Sequence, residues 1–266
     1  MKIEFTKMQG AGNDYVYVDL RGKEIPFSPE KLARAVSPRG FSVGSDGLVL
    51  ILDGDSADAR MRMFNADGSE GMMCGNALRC VAKYLYTRDR PKKSEFTVET
   101  MSGIKRASVN GDGTVSAYVG RASFRGKVYV NESGFEAEFI RADVGNPHAV
   151  CFTNGADGLD LTLLGPKLEN HMAFGQRVNL EFAERRGDGF FVRVWERGSG
   201  ETLSCGTGAC AVAAAAVKSG LAEPLRETEI CLRGGKLTVA CGPEFELTLT
   251  GDAETVYDGV YQYVED

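Results

Sequence analysis

One segment of the chain occurs twice, and this repeat constrains the fold more than any other feature. The stretch FNADGSEGMMCGNALRC (64–80) is matched by WERGSGETLSCGTGACA (195–211), so that Cys74 corresponds to Cys205, 131 residues later. Other pairs keep the same order and spacing: Phe64 with Trp195, Glu70 with Glu201, Gly75 with Gly206, and Gly103 with Gly234. A period of this length is that of a repeated domain rather than of a solenoid repeat. The sequence therefore predicts two halves of similar fold.

Both halves show the same order of predicted elements. Alternating apolar and polar residues predict strands at the start of each half, followed by a short helix. A further strand then leads into a helix that begins at the cysteine, and more strands separated by Gly and Asp turns complete the half. We therefore predict an α+β fold of two pseudo-symmetric domains that arose by internal duplication. Each is expected to be a curved, mainly antiparallel sheet around one central helix.

The predicted domain boundary lies within an otherwise continuous run of strands. The first domain is expected to comprise residues 1–117 together with a C-terminal strand at 256–266, and the second to comprise residues 118–255. No linker rich in proline and serine separates them, which predicts close packing. We expect the active site in the cleft between the two domains.

Composition disfavours several classes of partner. The 266 residues carry a formal charge of −6, which disfavours nucleic acid and anionic membranes as partners. The longest uninterrupted apolar run, Ala209–Val217, has nine residues, and a membrane helix needs about 20. The chain begins with an alternating, strand-like stretch rather than a signal peptide, so we expect a cytoplasmic protein.

Cysteine and histidine usage argues against structural disulfides and metals. Seven cysteines without a secretion signal do not predict a disulfide framework. Only two histidines are present and there is no Cys-x-x-Cys motif, so no metal site is expected. Five cysteines are predicted to be packing residues: Cys80, Cys151, Cys210, Cys231 and Cys241.

The two repeated helix starts combine a thiol with free backbone donors. The first N–H groups of a helix lack partners within the helix, and the helix dipole adds partial positive charge there, so anions bind at this end. A thiolate in the same field is stabilised, and we expect the pKa of each thiol to fall below about 8.5. Two such sites facing each other could hold one carboxylate and place a thiol on either side of the adjacent carbon. Proton removal on one face and return on the other would invert that centre.

The longest motifs resemble those of the diaminopimelate epimerase family. The resemblance rests on MQGAGNDYVYVD, MRMFNADGSEGMMCGNALRC, GNPHAV and WERGSGETLSCGTGAC, and it extends over essentially the whole chain. It implies epimerisation of LL-2,6-diaminopimelate to the meso form, in the synthesis of lysine and peptidoglycan precursors. The family uses two cysteines as acid and base, and it uses no cofactor; pyridoxal phosphate is not involved.

The resemblance also assigns roles to individual residues. Cys74 and Cys205 match the catalytic pair. His148 and Glu196 match positions thought to tune the thiol pKa values, and Tyr257 matches a tyrosine associated with dimerisation, which implies a homodimer. Residues matching the family's substrate site are Asn13, Asn65, Gly75, Asn76, Asn146, Asn179, Glu196, Arg197, Gly206 and Thr207. Within this set Gly75, Asn76, Gly206 and Thr207 match the loops that hold the reacting carboxylate.

Two residues of this set suit the far end of a diamino dicarboxylate, and one position departs from the family. Arg197 can bind a distal carboxylate through two hydrogen bonds, and Glu196 can bind an ammonium group. Some relatives have a glutamine as a substrate contact where this chain has Gly47, so that contact is absent or replaced.

Other interpretations of the same residues stay open at this point. Asn13, Asn146 and Asn179 are also ordinary turn residues, and Glu196 with Arg197 could form an exposed ion pair. A related pyridoxal-independent racemase of another amino acid would share the mechanism with a different distal pocket. A non-catalytic small-molecule binder, or a thiol redox protein that uses Cys74 and Cys205 as a switchable pair, would belong to other classes.

Overall fold

A computed structural model describes residues 1–89 and 93–264. The chain forms two compact units: unit 1 comprises Met1–Ala117 and the chain from Gly251 onward, and unit 2 comprises Tyr118–Thr250. Residues 251–255, predicted to lie in the second domain, thus belong to unit 1. The reason is that the strand Glu254–Gln262 pairs with Lys2–Gly10, and the Asp252 carboxylate accepts a hydrogen bond from the Ala11 N–H. Residues 265 and 266 of the predicted last strand lie outside the described residues.

The elements follow one another in the same order in both units. In unit 1 they are β1 (Lys2–Gly10), β2 (Asn13–Asp19), α1 (Pro29–Val36), β3 (Gly47–Leu52), β4 (Ala59–Asn65), β5 (Glu70–Gly71), α2 (Gly75–Arg88), β6 (Glu95–Thr100), β7 (Gly103–Val109), the first residues of β8 (Val115–Arg121), and β18 (Glu254–Gln262). In unit 2 they are β9 (Ser123–Glu132), β10 (Phe135–Asp143), β11 (Pro147–Phe152), α3 (Leu161–Glu169), β12 (Asn179–Arg186), β13 (Gly189–Glu196), β14 (Gly200–Thr202), α4 (Gly206–Lys218), β15 (Glu227–Leu232), β16 (Gly235–Cys241) and β17 (Glu246–Gly251). Single-turn 3-10 helices lie at Ala156–Gly158 and Met172–Phe174.

The strand order repeats as well. Unit 1 runs β18-β1-β2-β3-β4-β6-β7, where β2/β3 and β4/β6 are parallel and the other pairs antiparallel. Unit 2 runs β9-β10-β11-β12-β13-β15-β16, where β11/β12 and β13/β15 are the parallel pairs. The short strand β5 pairs with β4, and the short strand β14 pairs with β13. The predicted pair of similar, mainly antiparallel domains is confirmed.

Each sheet surrounds one buried helix. In unit 1, α2 contacts β1, β2, β4, β6 and β7, and in unit 2, α4 contacts β10, β11, β12, β15 and β16. Because successive strand residues point to opposite faces, Tyr15 and Tyr17 pack on the α2 side while Val16 and Val18 pack on the α1 side. Several strands of each sheet therefore pack against the central helix and position the residues at its N-terminus.

The described residues hold neither a membrane-length helix nor a ready-made metal cluster. Within residues 1–89 and 93–264, each helix is too short or too polar to cross a bilayer. The same ranges contain no group of three His, Cys, Asp or Glu side chains arranged to hold a metal ion. All seven cysteines are free; of the five predicted to pack in the core, Cys80, Cys151, Cys210 and Cys241 are buried, whereas Cys231 is half-buried.

Candidate active site

In unit 1 the thiol of Cys74 lies at the start of the enclosed helix. Cys74 is the N-cap of α2 in an extended conformation, and the side chain is half-buried. Its Sγ donates to Asn13 Oδ1 at 3.4 Å, and Asn76 Nδ2 donates to the same oxygen at 3.3 Å. Gly75 follows as the first helical residue. Four residues that the sequence singled out therefore form one cluster.

Two further side chains fix the orientation of this cluster. Asp46 Oδ2 accepts from Asn13 Nδ2 at 2.7 Å, which turns the Asn13 carbonyl oxygen towards Cys74. The guanidinium of Arg79, a fully buried side chain, donates to Asn76 Oδ1 at 3.0 Å and to the Asp252 carbonyl at 3.4 Å. Asn13 and Asn76 thus have fixed amide orientations before any ligand binds.

In unit 2 the equivalent thiol is more deeply buried. Cys205 is the N-cap of α4 and is 5% exposed, and its Sγ accepts from the Gly208 N–H at 3.3 Å. The Thr207 hydroxyl is 3.5 Å from the same sulfur, and Gly206 begins the helix. Sulfur, hydroxyl and backbone donors are therefore grouped at the start of α4.

The charge around Cys205 overturns one prediction. Burial raises the pKa of the Cys205 thiol well above its ordinary value, and the carboxylates of Glu196 and Glu181 raise it further. Hydrogen bonds from Thr207 and Gly208 act in the opposite direction, but they are weaker. The predicted lowering of the pKa by the helix start is therefore wrong for Cys205, because desolvation and like charge outweigh the helix N-terminus. This thiol keeps its proton at neutral pH.

Glu196 lies beside that thiol at the end of β13. Its Oε1 accepts from the Thr202 hydroxyl at 2.6 Å, and burial raises the pKa of its carboxyl group. Hydrogen bonds from Thr202 and Cys205 and the charge of His148 partly offset this effect, whereas Glu181 adds to it. The side chain of Glu196 is therefore held within the cysteine site, and no ion pair joins it to Arg197 in the described part of the chain.

A buried carboxylate–imidazole pair links the strands beneath this site. His148 Nδ1 is 2.6 Å from Glu181 Oε1, and both side chains are 0% exposed. On its other edge, His148 Nε2 is 2.9 Å from Asn146 Oδ1. The imidazole thus positions Asn146, a predicted substrate contact, relative to Glu181.

The remaining predicted residues of unit 2 lie around Asn179. Asn179 Nδ2 donates to the Pro147 carbonyl at 2.9 Å, and Asn179 Oδ1 accepts from the Arg197 N–H at 3.0 Å. The side chain of Arg197 is exposed, and among the described residues no acidic partner holds its guanidinium. Asn179 is therefore a buried strand residue that links Pro147 to Arg197, rather than a turn residue. The guanidinium of Arg197 is available to an anionic ligand.

Two predicted residues of unit 1, Asn65 and Tyr257, have other partners than the thiol cluster. Asn65 ends β4 and is exposed, with its Nδ2 donating to Ser69 Oγ at 2.9 Å. Tyr257 is 44% exposed on β18 and packs edge-to-face against Phe5.

Gly47 has no room for a side chain. It lies in β3, where a Cβ would stand 1.9 Å from the Phe64 carbonyl oxygen and 3.0 Å from the Tyr15 ring. A glutamine cannot occupy this position without a shift of the backbone. The contact that some relatives make from residue 47 is therefore absent with this backbone.

Sequence reasoning missed three functional neighbours: Asp46, Arg79 and Glu181. Two of them carried a visible signal, since each is a charged residue between apolar neighbours: Arg79 lies between Leu78 and Cys80, and Glu181 lies between Leu180 and Phe182. Both side chains are 0% exposed. Such residues are retained when they have buried partners. Asp46 had no signal, because a short loop before β3 is an ordinary place for an acidic residue.

Structures of known proteins share this duplicated architecture. A phenazine biosynthesis protein of the PhzF family from Bacillus anthracis matches with a TM-score of 0.79 and 17% identity, over 99% of this chain and 100% of that one. A hydroxyproline epimerase from Agrobacterium vitis matches with a TM-score of 0.70 and 15% identity, over 98% and 91%. At these identities the likeness concerns the fold, which is that of a class containing amino-acid epimerases.

Sequence comparison places the chain within one family. The family model for diaminopimelate epimerase matches residues 5–125 and 140–256. The diaminopimelate epimerase of Desulfovibrio desulfuricans is 44% identical over 97% of this chain and 98% of its own length, and that of Bacteroides thetaiotaomicron is 45% identical over 97% of both. The chain belongs to the diaminopimelate epimerase family and is an enzyme of the isomerase class, as the motifs predicted.

Proposed function

We propose that this enzyme converts LL-2,6-diaminopimelate to the meso isomer by a cofactor-independent, two-cysteine mechanism, in the cytoplasmic synthesis of lysine and peptidoglycan precursors. One observation carries the proposal: equivalent N-cap cysteines start the enclosed helix of each repeated unit, in different electrostatic surroundings. We infer the substrate from the relatives, which are named as diaminopimelate epimerases.

The chemistry requires one thiolate and one thiol at the start of each turnover. We propose that Cys205 supplies the thiol, since burial and two carboxylates hold its proton, and that Cys74 supplies the base. The substrate carboxylate next to the reacting carbon binds the backbone donors at Gly75 and Gly206, where the helix dipoles favour an anion. These donors stabilise the charge that moves onto the carboxylate as the α-proton leaves.

The distal end of the substrate is an amino-acid head that a simple amino acid lacks. We assign its carboxylate to Arg197, whose guanidinium is exposed and can bind it through two hydrogen bonds. Asn65 and Asn179 are assigned to the same end, together with Glu196 for the ammonium group. A related racemase of another amino acid is the alternative function, and it would have no use for this whole set.

The direct test is deuterium incorporation by reduced protein with LL-diaminopimelate in D₂O, without added cofactor. We expect deuterium at one α-carbon together with formation of the meso isomer. Cys74→Ala and Cys205→Ala should each abolish this conversion, whereas Cys231→Ala, the matched variant of a half-buried thiol, should retain it. Absence of exchange in the wild type would exclude the reaction, and full activity of either variant would exclude the two-base mechanism.

Arg197→Met distinguishes the proposed substrate from the alternative. The variant keeps a long side chain but loses the fork that binds a carboxylate, so we expect the kcat/KM for diaminopimelate to fall by about 100-fold or more. Arg233→Met, which removes an exposed arginine paired with Glu201, is the control. An unchanged rate in Arg197→Met would remove the argument for a distal carboxylate and favour a racemase of another amino acid.

A further inference from the structure

One buried charge in unit 2 is not explained by the roles assigned so far. Glu181 lies in the middle of β12 with its side chain 0% exposed, and its Oε1 is 2.6 Å from His148 Nδ1. Its second oxygen, Oε2, is buried and has no hydrogen-bond partner within the described residues. An incompletely bonded carboxyl group inside a protein costs stability, so its retention calls for a reason in its surroundings.

The carboxyl group and the catalytic thiol share one end of α4. A Cβ on Gly208 would stand 2.9 Å from Glu181 Oε1 and 3.3 Å from Cys205 Sγ, so both atoms lie against the same glycine. The N–H of that glycine already donates to the sulfur. The Glu181 carboxyl group therefore lies at the N-terminal end of α4, where the helix dipole is positive. It is beside the place where a Cys205 thiolate would form.

We propose that Glu181 is a positioning residue that keeps the proton on Cys205 between turnovers, with His148 holding its carboxylate in place. The charged groups that face the thiol are Glu196 from β13 and Glu181 from β12, while His148 on β11 faces both carboxyl groups. A second negative charge at the helix start opposes the formation of a thiolate there. The expected effect on kcat/KM rests on the proposed function, whereas the expected effect on the protonation of the Cys205 thiol does not.

The strand position of unit 1 that corresponds to Glu181 is uncharged. Glu181 pairs with Val150 in unit 2, and the corresponding pair in the parallel strands of unit 1 is Val49 with Tyr17. An apolar valine thus takes the place of the carboxylate on the Cys74 side. Glu181 therefore places a charged group beside Cys205 at a strand position that is apolar in unit 1.

The test is the pH dependence of alkylation of Cys205 by iodoacetamide, measured on the Cys205 peptide by mass spectrometry. In Glu181→Gln, which keeps the shape and removes the charge, the midpoint should fall by about one to two pH units. Glu181→Asp keeps the charge and should stay closer to the wild type. Glu184→Gln removes a carboxylate from the same strand, outside the site, and should leave the midpoint unchanged.

A midpoint that is unchanged or higher in Glu181→Gln would overturn the proposal. If that variant does not fold, the test is the wild-type protein. An alkylation midpoint of Cys205 in or below the ordinary range of thiol pKa values would equally contradict the proposal. Under the proposed function, the alkaline limb of kcat/KM should shift downward by the same amount as the alkylation midpoint. Failure of the wild type to exchange deuterium into diaminopimelate would refute the proposed function and leave the alkylation result standing.

Discussion

At the scale of single residues, each cysteine is the N-cap of a buried helix, and the two thiols have different hydrogen-bond partners. Cys74 Sγ donates to the amide oxygen of Asn13, which also accepts from Asn76 Nδ2. Cys205 faces Glu196 and Glu181, which raise its pKa. Burial and these carboxylates favour the protonated form of the Cys205 thiol, which is the form that a general acid needs.

Gly208 allows this arrangement because it lacks a side chain. In Gly208→Ala the new Cβ would stand within 3.3 Å of both Glu181 Oε1 and Cys205 Sγ, so one of these groups has to move. We expect kcat to fall by about 10- to 100-fold. Deuterium exchange into diaminopimelate measures the effect. Gly111→Ala, at a glycine whose Cβ would meet open space, is the control, and equal activity of the two variants would contradict the account.

At the scale of elements, the alanine residues of α4 allow the helix to pack closely within its sheet. Ala211 and Ala213 are 0% exposed, and strands of the same sheet contact the helix from several sides. Small side chains let these strands approach the helix axis closely, as dense interior packing requires. The helix is thereby packed against the sheet that carries Glu181 and Glu196.

A larger side chain inside this helix should disturb the packing. Ala213→Leu adds volume where no space is available, and we expect it to lower the free energy of unfolding by about 1–3 kcal/mol. Val217→Leu, at a half-buried position of the same helix, should change it by less than about 0.5 kcal/mol. Urea denaturation measures both. A neutral Ala213→Leu would show that the sheet does not enclose the helix tightly.

The arrangement of elements could be predicted from the sequence, but the electrostatic surroundings of Cys205 could not. The repeat around Cys74 and Cys205, together with alternating strands, predicted two matching units and the cysteine at each helix start. The protonation of Cys205 could not be predicted, because it depends on Glu181, which comes from a strand 24 residues earlier. Helix dipoles follow from local sequence, whereas burial and the charges of neighbouring strands follow only from the fold.

At the scale of the whole molecule, we propose a homodimer in which Tyr257 contributes to the interface. Three large apolar side chains of β18 are exposed, Val256, Tyr257 and Val260, each by 44–56%. Tyr257→Asp places a charge among them and should shift the protein towards monomer, as measured by sedimentation velocity. Tyr129→Asp, at a tyrosine 63% exposed on β9, is the control. A wild type that sediments as a monomer would refute the dimer.

Buried thiols also make the stability of the whole fold depend on pH. Burial raises the pKa of Cys80 and of Cys151 from 9.0 to about 12, so the folded protein keeps protons that the unfolded chain releases. The stabilisation is complete below pH 9.0 and is lost as the pH rises to about 12, at about 1.4 kcal/mol per unit for each thiol.

Urea denaturation across this range should therefore show the free energy of unfolding falling with pH. Cys80→Ala should make the fall less steep, because one titrating thiol is removed. Cys231→Ala, which removes a half-buried thiol, should leave most of the slope unchanged. A slope identical in Cys80→Ala and the wild type would contradict the assignment.

The central claim is that one cysteine removes the α-proton and the other returns a proton from solvent. Early in the reaction of LL-diaminopimelate in D₂O, the isotope content of both isomers tests this claim most directly. A two-base mechanism predicts deuterium in the meso product and protium in the LL substrate that is recovered, because the base that took the proton is not the group that delivers one. Deuterium appearing equally in product and recovered substrate would contradict the account.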